Sequence, residues 1–218
     1  MKLTKKLYYY PEVGFTSNSY IIDDGVRVLI DPGHHNRLDG LIKLMKEDGF
    51  SMSDVDWIIV THAHVDHCGA VHDIQKKHNI KVAMHEEEKQ YLELAVYFHR
   101  LFGERMTPFT VDHWFKGERC SDIGGLKLVI LHTPGHTPGS ISIYSPEGKY
   151  LICGDLVFEG GVGRTDLGGS SEMLRKSIEL VSQLDIDMLL PGHGPLIVGR
   201  EEVIRNFRFV MKFMDYFL

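Results

Sequence analysis

The segment THAHVDHCGA, residues 61–70, concentrates side chains that bind metal ions directly after the apolar run WIIV. These side chains are His62, His64, Asp66 and His67. Imidazole and carboxylate groups are the usual protein ligands of zinc, iron and manganese. A chain that leaves a strand still extended directs His62 and His64 to the same side. Asp66 and His67 come after the chain bends, so one loop is expected to serve two neighbouring ions.

Three further apolar segments end in a residue of the same chemical type. His136 lies in LHTPGHTPGS, Asp155 follows LICG, and His193 lies in LLPGHGP. In each case a predicted strand fixes the backbone and a glycine or proline turn directs one side chain outwards. A lone histidine after a strand is ordinarily structural or solvated. The complete H-x-H-x-D-H motif with three such partners is far more specific for a metal centre.

Seven candidate ligands exceed the roughly four that one zinc ion takes, so the set predicts two ions. The first group of ligands is His62, His64 and His136, and the second group is Asp66, His67 and His193. Asp155 is expected to bridge the ions, because a carboxylate has two oxygens to share. Each ion would keep a position for a shared water, which is typical of a catalytic site.

The elements that must position these residues are predicted from hydrophobic periodicity and turn residues. Two strands on either side of Asp24-Gly25 indicate a hairpin, and RLDGLIKLMKEDG is typical of an amphipathic helix that stops at Gly49. Strands and helices then alternate twice, and the chain ends in a helix over REEVIRNFRFVMKFMDYF. Residues 101–122 have mixed signals and receive no assignment. This order predicts sheets sandwiched between helical layers.

THAHVDHCG, HTPGHTPGS, CGD and PGHG together resemble the successive metal motifs of the metallo-β-lactamase superfamily, and IDPG at 30–33 resembles its first motif. The resemblance extends from Ser17 to Gly194. It implies an α/β fold, a four-layered αβ/βα sandwich formed as a single domain over 1–218. It also implies that Asp31 orients the ligand loop, although Asp-Pro-Gly is equally an ordinary turn.

Two features indicate a branch of the superfamily. Class B β-lactamases commonly have a cysteine where Asp155 stands, and GVGRTDLGG at 161–169 resembles a stretch of glyoxalase II-like hydrolases and persulfide dioxygenases. Arg164 and Asp166 are expected to form an ion pair that holds this loop, with direct substrate contact as the alternative. The short remainder after the last motif resembles the compact glyoxalase II-like group. Residues 86–122, with YFHRLFGERM, are expected to form part of a pocket for an acidic thiol substrate or simply a packed helix.

The resemblance implies a metal-dependent hydrolase that acts on a thioester such as S-lactoylglutathione, a hydroxyacylglutathione hydrolase. A hydroxide bridging two divalent ions would attack the carbonyl, because coordination lowers the pKa of water from 15.7 to about 7. Asp66 is the expected catalytic residue, which orients this hydroxide or accepts its proton. Zinc is the default metal, and iron and manganese suit the same ligands.

Other reactions stay open at this point. Persulfide dioxygenases use one iron held by the counterparts of His62, His136 and Asp155, so an oxidoreductase is the main alternative. Lactonase, phosphodiesterase and nuclease activities are less favoured. Diiron flavoprotein relatives usually have glutamate at the position of His64 and carry a flavodoxin domain, which this sequence does not show.

Composition sets the expected environment and partners. The 218 residues carry a formal net charge of −6, which argues against a nucleic-acid partner. Neither a secretory signal nor an apolar stretch of about 18–20 residues is visible, so no membrane association is expected. Three scattered cysteines favour reduced thiols in the cytoplasm. A small-molecule substrate is expected, and the apolar C-terminal segment predicts either a homodimer contact or core packing; its residues are Phe207, Phe209, Phe213, Phe217 and Leu218.

Overall fold

Two six-stranded sheets form the centre of the molecule in this computed structural model, which describes residues 1–101, 103–120 and 126–217. The first sheet has the order β1-β2-β3-β4-β5-β6, and its strands are β1 (Leu7–Tyr10), β2 (Ser19–Asp23), β3 (Arg27–Ile30), β4 (Trp57–Ile59), β5 (Lys81–His85) and β6 (His113–Phe115). Strands β1 to β3 are antiparallel, and β3 to β6 run parallel. The hairpin predicted at Asp24-Gly25 joins β2 to β3, and Gly25 has a φ of +79°.

The second sheet has the order β14-β13-β10-β9-β8-β7. Its strands are β7 (Arg119–Cys120), β8 (Val129–His132), β9 (Ile141–Ser145), β10 (Tyr150–Gly154), β13 (Met188–Pro191) and β14 (Ile197–Val198). All its neighbours are antiparallel except β10 and β13, which run parallel. The short strands β11 (Val157–Phe158) and β12 (Gly161–Val162) form a separate two-stranded ribbon.

Helices cover the outer face of each sheet. They are α1 (Leu38–Glu47), α2 (Val65–Cys68), α3 (Val71–Gln75), α4 (Lys89–Leu101), α5 (Ser171–Ser182) and α6 (Arg200–Phe217). Helix α1 buries Leu38, Leu41 and Met45, which lie on one face at helical spacing. The Ser170 side chain caps α5 by accepting a hydrogen bond from the Met173 N–H.

Three layers of apolar side chains separate the four layers of secondary structure. The middle layer lies between the sheets and contains Tyr20, Ile59, Ile143 and Ile152. A second layer packs α1 and α4 on the first sheet, and a third packs α5 and α6 on the second sheet. This arrangement confirms the predicted α/β fold and its four-layered αβ/βα sandwich. The assignment of 1–218 to one domain stays a prediction.

The C-terminal helix contributes to the core. Phe207 is buried with Val210 and Met214 in the third layer, while 55% of Phe209 is exposed. The side chain of Phe217 and the whole of Leu218 lie outside the described residues. The homodimer contact therefore stays a prediction.

Two further findings concern the expected environment. The thiols of Cys68 and Cys153 are buried and form no disulfide. Within the described part of the chain, none of the helices combines the length and apolar character needed to cross a bilayer.

Candidate metal centre

The structure brings all seven candidate ligands together at one edge of the two sheets. Three groups have ligand atoms that lie within 4.8 Å of one another: His62, His64 and His136; Asp66, His67 and His193; and His62, His67 and Asp155. The first two groups coincide with the two ligand sets derived from the sequence. The third group connects them. Their role as metal ligands stays a prediction. Such a role requires ligand atoms that lie this close together.

Asp155 lies between the two histidine groups. Its Oδ1 is 3.1 Å from His67 Nε2, and its Oδ2 is 3.5 Å from His136 Nε2 and 3.7 Å from His193 Nε2. Burial favours the neutral acid, yet the adjacent His67 holds the pKa of Asp155 at about 2. The carboxylate is therefore charged at neutral pH and faces both sets of ligands, as a bridging ligand must.

The chemistry of these donors fits a pair of divalent cations. His62 Nε2 is buried and has no hydrogen-bond partner in the described part of the chain, and buried polar atoms are rarely left in this state. Asp155 Oδ1, also buried, has the ion-pair contact with His67 but no well-directed hydrogen bond among the described residues. Burial and the neighbouring histidines hold the pKa of His62 well below its usual value, and burial lowers that of His64 to about 3. Both rings are thus neutral and have a lone pair for a cation. Nitrogen and carboxylate donors suit zinc, iron and manganese.

Asp31 fixes the loop that carries four of the ligands. It follows β3 with a φ of +48°, a left-handed conformation that is uncommon outside glycine. Its Oδ1 accepts the Thr61 N–H at 2.7 Å, and its Oδ2 accepts the Thr61 hydroxyl at 2.6 Å. The same Oδ2 lies 2.8 Å from His67 Nδ1. A carboxylate only accepts, so His67 donates from Nδ1. Burial opposes a charged ring, but Asp155 and Asp31 raise the pKa of His67 well above its usual value, so a cation at Nε2 must displace a proton there.

His64 is oriented by Tyr91, a residue of α4 that the sequence motifs do not indicate. The Tyr91 hydroxyl donates to the Leu167 carbonyl at 2.7 Å, and the hydroxyl oxygen lies 2.7 Å from His64 Nε2. Because the tyrosine proton is already used, His64 must donate from Nε2. Its Nδ1 then has the free lone pair and lies 2.8 Å from His136 Nε2 inside the centre.

The GVGRTDLGG loop supports His136 through its backbone. His136 Nδ1 lies 2.6 Å from the Arg164 carbonyl, which leaves Nε2 to face the other ligands. The Arg164 guanidinium forms an ion pair with Asp166 at 2.6 Å, and both side chains are exposed. An exposed pair adds little stability, so the loop acts on the centre mainly through the Arg164 carbonyl.

His193 is held by Glu12, which sequence reasoning also missed. Glu12 Oε2 lies 2.6 Å from His193 Nδ1, and its Oε1 accepts the Gly194 N–H at 2.9 Å. On the other side, His193 Nε2 lies 3.1 Å from Asp66 Oδ2. Burial opposes a charged ring, but the contacts with Asp66, Asp155 and Glu12 raise the pKa of His193 to about 9. A cation at this group must therefore displace a proton.

Glu88 connects two ligand loops from beneath the centre. It is fully buried and accepts hydrogen bonds from the Ala63 N–H at 2.7 Å, the Gly139 N–H at 2.7 Å and the Thr137 hydroxyl at 3.0 Å. Ala63 lies between two histidines of the first loop, and Thr137 directly follows His136. Burial raises the pKa of Glu88 to about 7, although the three hydrogen bonds lower it. In the sequence it is hidden in the run EEE, which reads as an exposed helix start.

Comparison with known proteins assigns the chain to a family. Residues 13–193 match the model of the metallo-beta-lactamase superfamily. The chain belongs to this superfamily. Among curated relatives, the probable metallo-hydrolase YqgX of Bacillus subtilis is 37% identical to this chain over 185 residues. The match covers 82% of this chain and 85% of the relative.

Two further relatives bear on the chemistry of this superfamily member. It is 31% identical over 201 residues to the hydroxyacylglutathione hydrolase GloC of Haemophilus influenzae, covering 88% of this chain and 92% of the relative. A crystal structure of TTHA1623 in a di-iron-bound form has 31% identity and a TM-score of 0.77, and the match covers 91% of this chain and 98% of that one. These proteins are similar to this chain over almost their whole length.

In this member of the superfamily, an apolar cleft of about 450 Å³ opens beside His64, and α4 forms one wall. Residues 86–122 thus contribute to a pocket, which is one of the two possibilities that the sequence left open. The arginines expected to attract an acidic thiol do not line it, and Arg105 instead pairs with Asp73 at 2.8 Å. Phe102 and residues 121–125 lie outside the described residues.

Proposed function

We propose that this metallo-hydrolase cleaves thioesters, as a glyoxalase II-like enzyme, with two divalent cations, zinc by default and iron or manganese as alternatives. The observation that carries the proposal is the position of Asp155, whose carboxylate contacts members of both ligand groups. The relationship to GloC supports a thioester substrate, and the relationship to TTHA1623 supports two metal ions.

The first cation would be held by His62, His64 and His136, the second by Asp66, His67 and His193, with Asp155 shared. Cations bound there lower the pKa of water and polarise a carbonyl oxygen. The reaction consumes one water: its oxygen bonds to the carbonyl carbon, the carbon–sulfur bond breaks, and sulfur keeps the electron pair. The products are a carboxylate, a thiol and one proton released to solvent.

Asp66 is the residue that we assign to proton handling. Its burial favours the neutral acid, but the hydrogen bond with His193 and the neighbouring histidines hold its pKa well below the usual range. The carboxylate is therefore charged at neutral pH and can orient water or accept its proton. A thiolate is a good leaving group, so no separate general acid is required.

Metal analysis of protein purified without added metal, followed by a thioester assay, tests the proposal. We expect about two divalent ions per chain by mass spectrometry, and S-lactoylglutathione hydrolysis that is lost on chelation and restored by metal. Asp155→Ala should lower both metal content and rate, whereas Asp187→Ala, outside the centre, should change neither.

The main alternative is a one-iron persulfide dioxygenase. The complete second ligand group favours the hydrolase, because Asp66, His67 and His193 are assembled as well as the first set. One iron per chain together with oxygen uptake on glutathione persulfide would establish the oxidoreductase instead. Turnover of lactones or phosphodiesters without any thioester would also contradict the proposed substrate.

A further inference from the structure

The cleft beside His64 has two apolar walls. Helix α4 supplies Tyr91, Leu94 and Phe98, and the opposite wall contains Pro138 and Leu167. Its volume of about 450 Å³ is in the range of small-molecule sites. The cleft is large enough for an acyl chain or a ring and is open to solvent on one side.

Apolar side chains on both walls are unusually exposed. The exposed fraction is 52% for Leu94, 47% for Phe98 and 38% for Leu167. Contiguous exposed apolar surface next to a polar centre typically marks a binding site. A ligand that covers these side chains would remove their apolar area from water, which is a favourable contribution to binding.

The charges around the cleft disfavour an anionic ligand. Glu87 and Asp166 line it, and both side chains are exposed carboxylates. No lysine or arginine is among the described residues that line the cleft. The nearby Arg164 guanidinium is paired with Asp166. The carboxylates of a glutathione-like thiol would meet the Glu87 carboxylate and no cationic side chain among the described lining residues, so an uncharged part of the substrate fits this space better.

The cleft borders the metal centre at one candidate ligand. His64, a member of the first ligand group, forms part of its lining, and Tyr91 joins His64 to the Leu167 carbonyl across the floor. A group bound in the cleft therefore lies directly beside the place where the scissile bond must be held. This adjacency favours one arm of the substrate itself as the occupant.

We propose that the cleft binds the apolar acyl chain of the thioester, so that the substrate class is thioesters of uncharged acyl groups several carbons long. The inference rests on the proposed function and narrows it. The reaction is the same hydrolysis, and the carboxylate product has the apolar chain. The small, polar lactoyl group of S-lactoylglutathione leaves the cleft largely unfilled, so this thioester is a slow substrate.

A chain-length series tests the inference. The substrates are the acetyl, butyryl, hexanoyl and octanoyl thioesters of N-acetylcysteamine, which all share one uncharged thiol. We expect kcat/KM to rise about two- to fourfold for each added methylene until the cleft is filled. Leu94→Asp should reduce the octanoyl-to-butyryl ratio about tenfold or more, because a carboxylate then lies in the path of the chain.

Leu180→Asp is the matched control. Leu180 is also an exposed leucine on a helix, with 48% of its surface accessible, and it lies on α5 away from the cleft. This variant should keep the wild-type ratio. A wild-type ratio near one, with clear turnover, would overturn the inference. So would an unchanged ratio in Leu94→Asp with a lower oligomeric mass, which would identify this face as a contact between two copies of the chain.

A binding measurement separates this inference from the proposed function. Titration calorimetry of the metal-loaded protein with butanoate and octanoate does not depend on turnover. Tighter binding of octanoate than of butanoate, with the difference lost in Leu94→Asp, would support the assignment of the cleft to the acyl chain. If no thioester were hydrolysed in that case, only the proposed reaction would be wrong. Equal affinities for the two carboxylates would overturn the cleft assignment whatever the activity.

Discussion

Each histidine of the centre has its outer ring nitrogen held by a partner away from the ligands, and for His62 this partner is the Thr61 hydroxyl oxygen, 3.1 Å from Nδ1. Tyr91 fixes His64, Asp31 fixes His67, the Arg164 carbonyl fixes His136, and Glu12 fixes His193. Such partners set the tautomer and so decide which lone pair faces a cation. The grouping of the candidate ligands was predictable because motif and turn residues are local in sequence. Tyr91 and Glu12 were not, since they reach the centre only through tertiary packing.

Glu88 has a pH dependence that a substitution can isolate. Its pKa of about 7 in the fold exceeds the ordinary value of 4.5, so the folded state binds the proton more tightly than the unfolded state. The contribution of the Glu88 carboxyl to the free energy of unfolding is therefore fully present below pH 4.5 and is lost as the pH rises through about 7. Between pH 5 and 7, wild type should lose on the order of 1 kcal/mol per pH unit relative to Glu88→Gln, which cannot titrate.

Urea unfolding of both proteins in chelator across this pH range measures the difference. Subtracting the unfolding free energy of Glu88→Gln from that of wild type at each pH gives a difference curve. This subtraction cancels the titration of the histidines, which both proteins share. Glu87→Gln is the matched control, because it makes the same substitution at a neighbouring glutamate that is exposed. A flat curve for Glu88→Gln would show that the Glu88 carboxyl keeps an ordinary pKa.

At the scale of elements, periodicity predicted the helices and most of the strands that carry the site. The prediction failed where an element is short or depends on its neighbour. Strand β1 is four consecutive apolar residues without alternation, and β6 and β7 gain their pairing from β5 and β8. These elements form through sheet hydrogen bonds and packing that no local pattern encodes.

Gly135 is the point where a ligand loop packs on α5. It has a φ of +140°, and a Cβ there would lie 2.2 Å from the Leu174 backbone nitrogen. Its carbonyl accepts the Ser170 N–H at 2.7 Å, next to the helix cap. Gly135→Ala must therefore displace either the helix or the loop that carries His136. We expect a loss of about 2 kcal/mol or more in unfolding free energy and about a tenfold or greater loss in kcat/KM.

Denaturant unfolding and thioester kinetics on the same preparation check this prediction, with Gly161→Ala as the control. Gly161 has open space where its Cβ would lie, and its φ is in the ordinary range. That variant should therefore retain both stability and rate. Wild-type values for Gly135→Ala would mean that the loop and α5 can separate without disturbing His136.

For the whole molecule, the candidate ligands come from both sheets. His62 and His67 follow β4 of the first sheet, whereas His136, Asp155 and His193 follow β8, β10 and β13 of the second. A cation in either group would therefore cross-link the two halves of the sandwich. The unfolded chain has no such preformed site, so metal affinity contributes to folding stability.

Metal removal should consequently destabilise the entire fold cooperatively. A ligand present at a thousand times its dissociation constant adds about 4.1 kcal/mol per site. For a chain of this size, each kcal/mol shifts Tm by about 2–4 °C. Calorimetry of the chelated protein, then with two equivalents of zinc, should show one transition that moves to higher temperature by roughly 10 °C or more.

Asp155→Ala should abolish most of this shift, because Asp155 contacts both ligand groups. His78→Ala removes a histidine outside the centre and should keep the full shift. If zinc raised the Tm of Asp155→Ala as much as that of wild type, the cation would not be binding between the sheets. If only one half of the sandwich responded, as a separate second transition, the ligands would not be joining the two sheets, and the shared carboxylate would lose its assigned role.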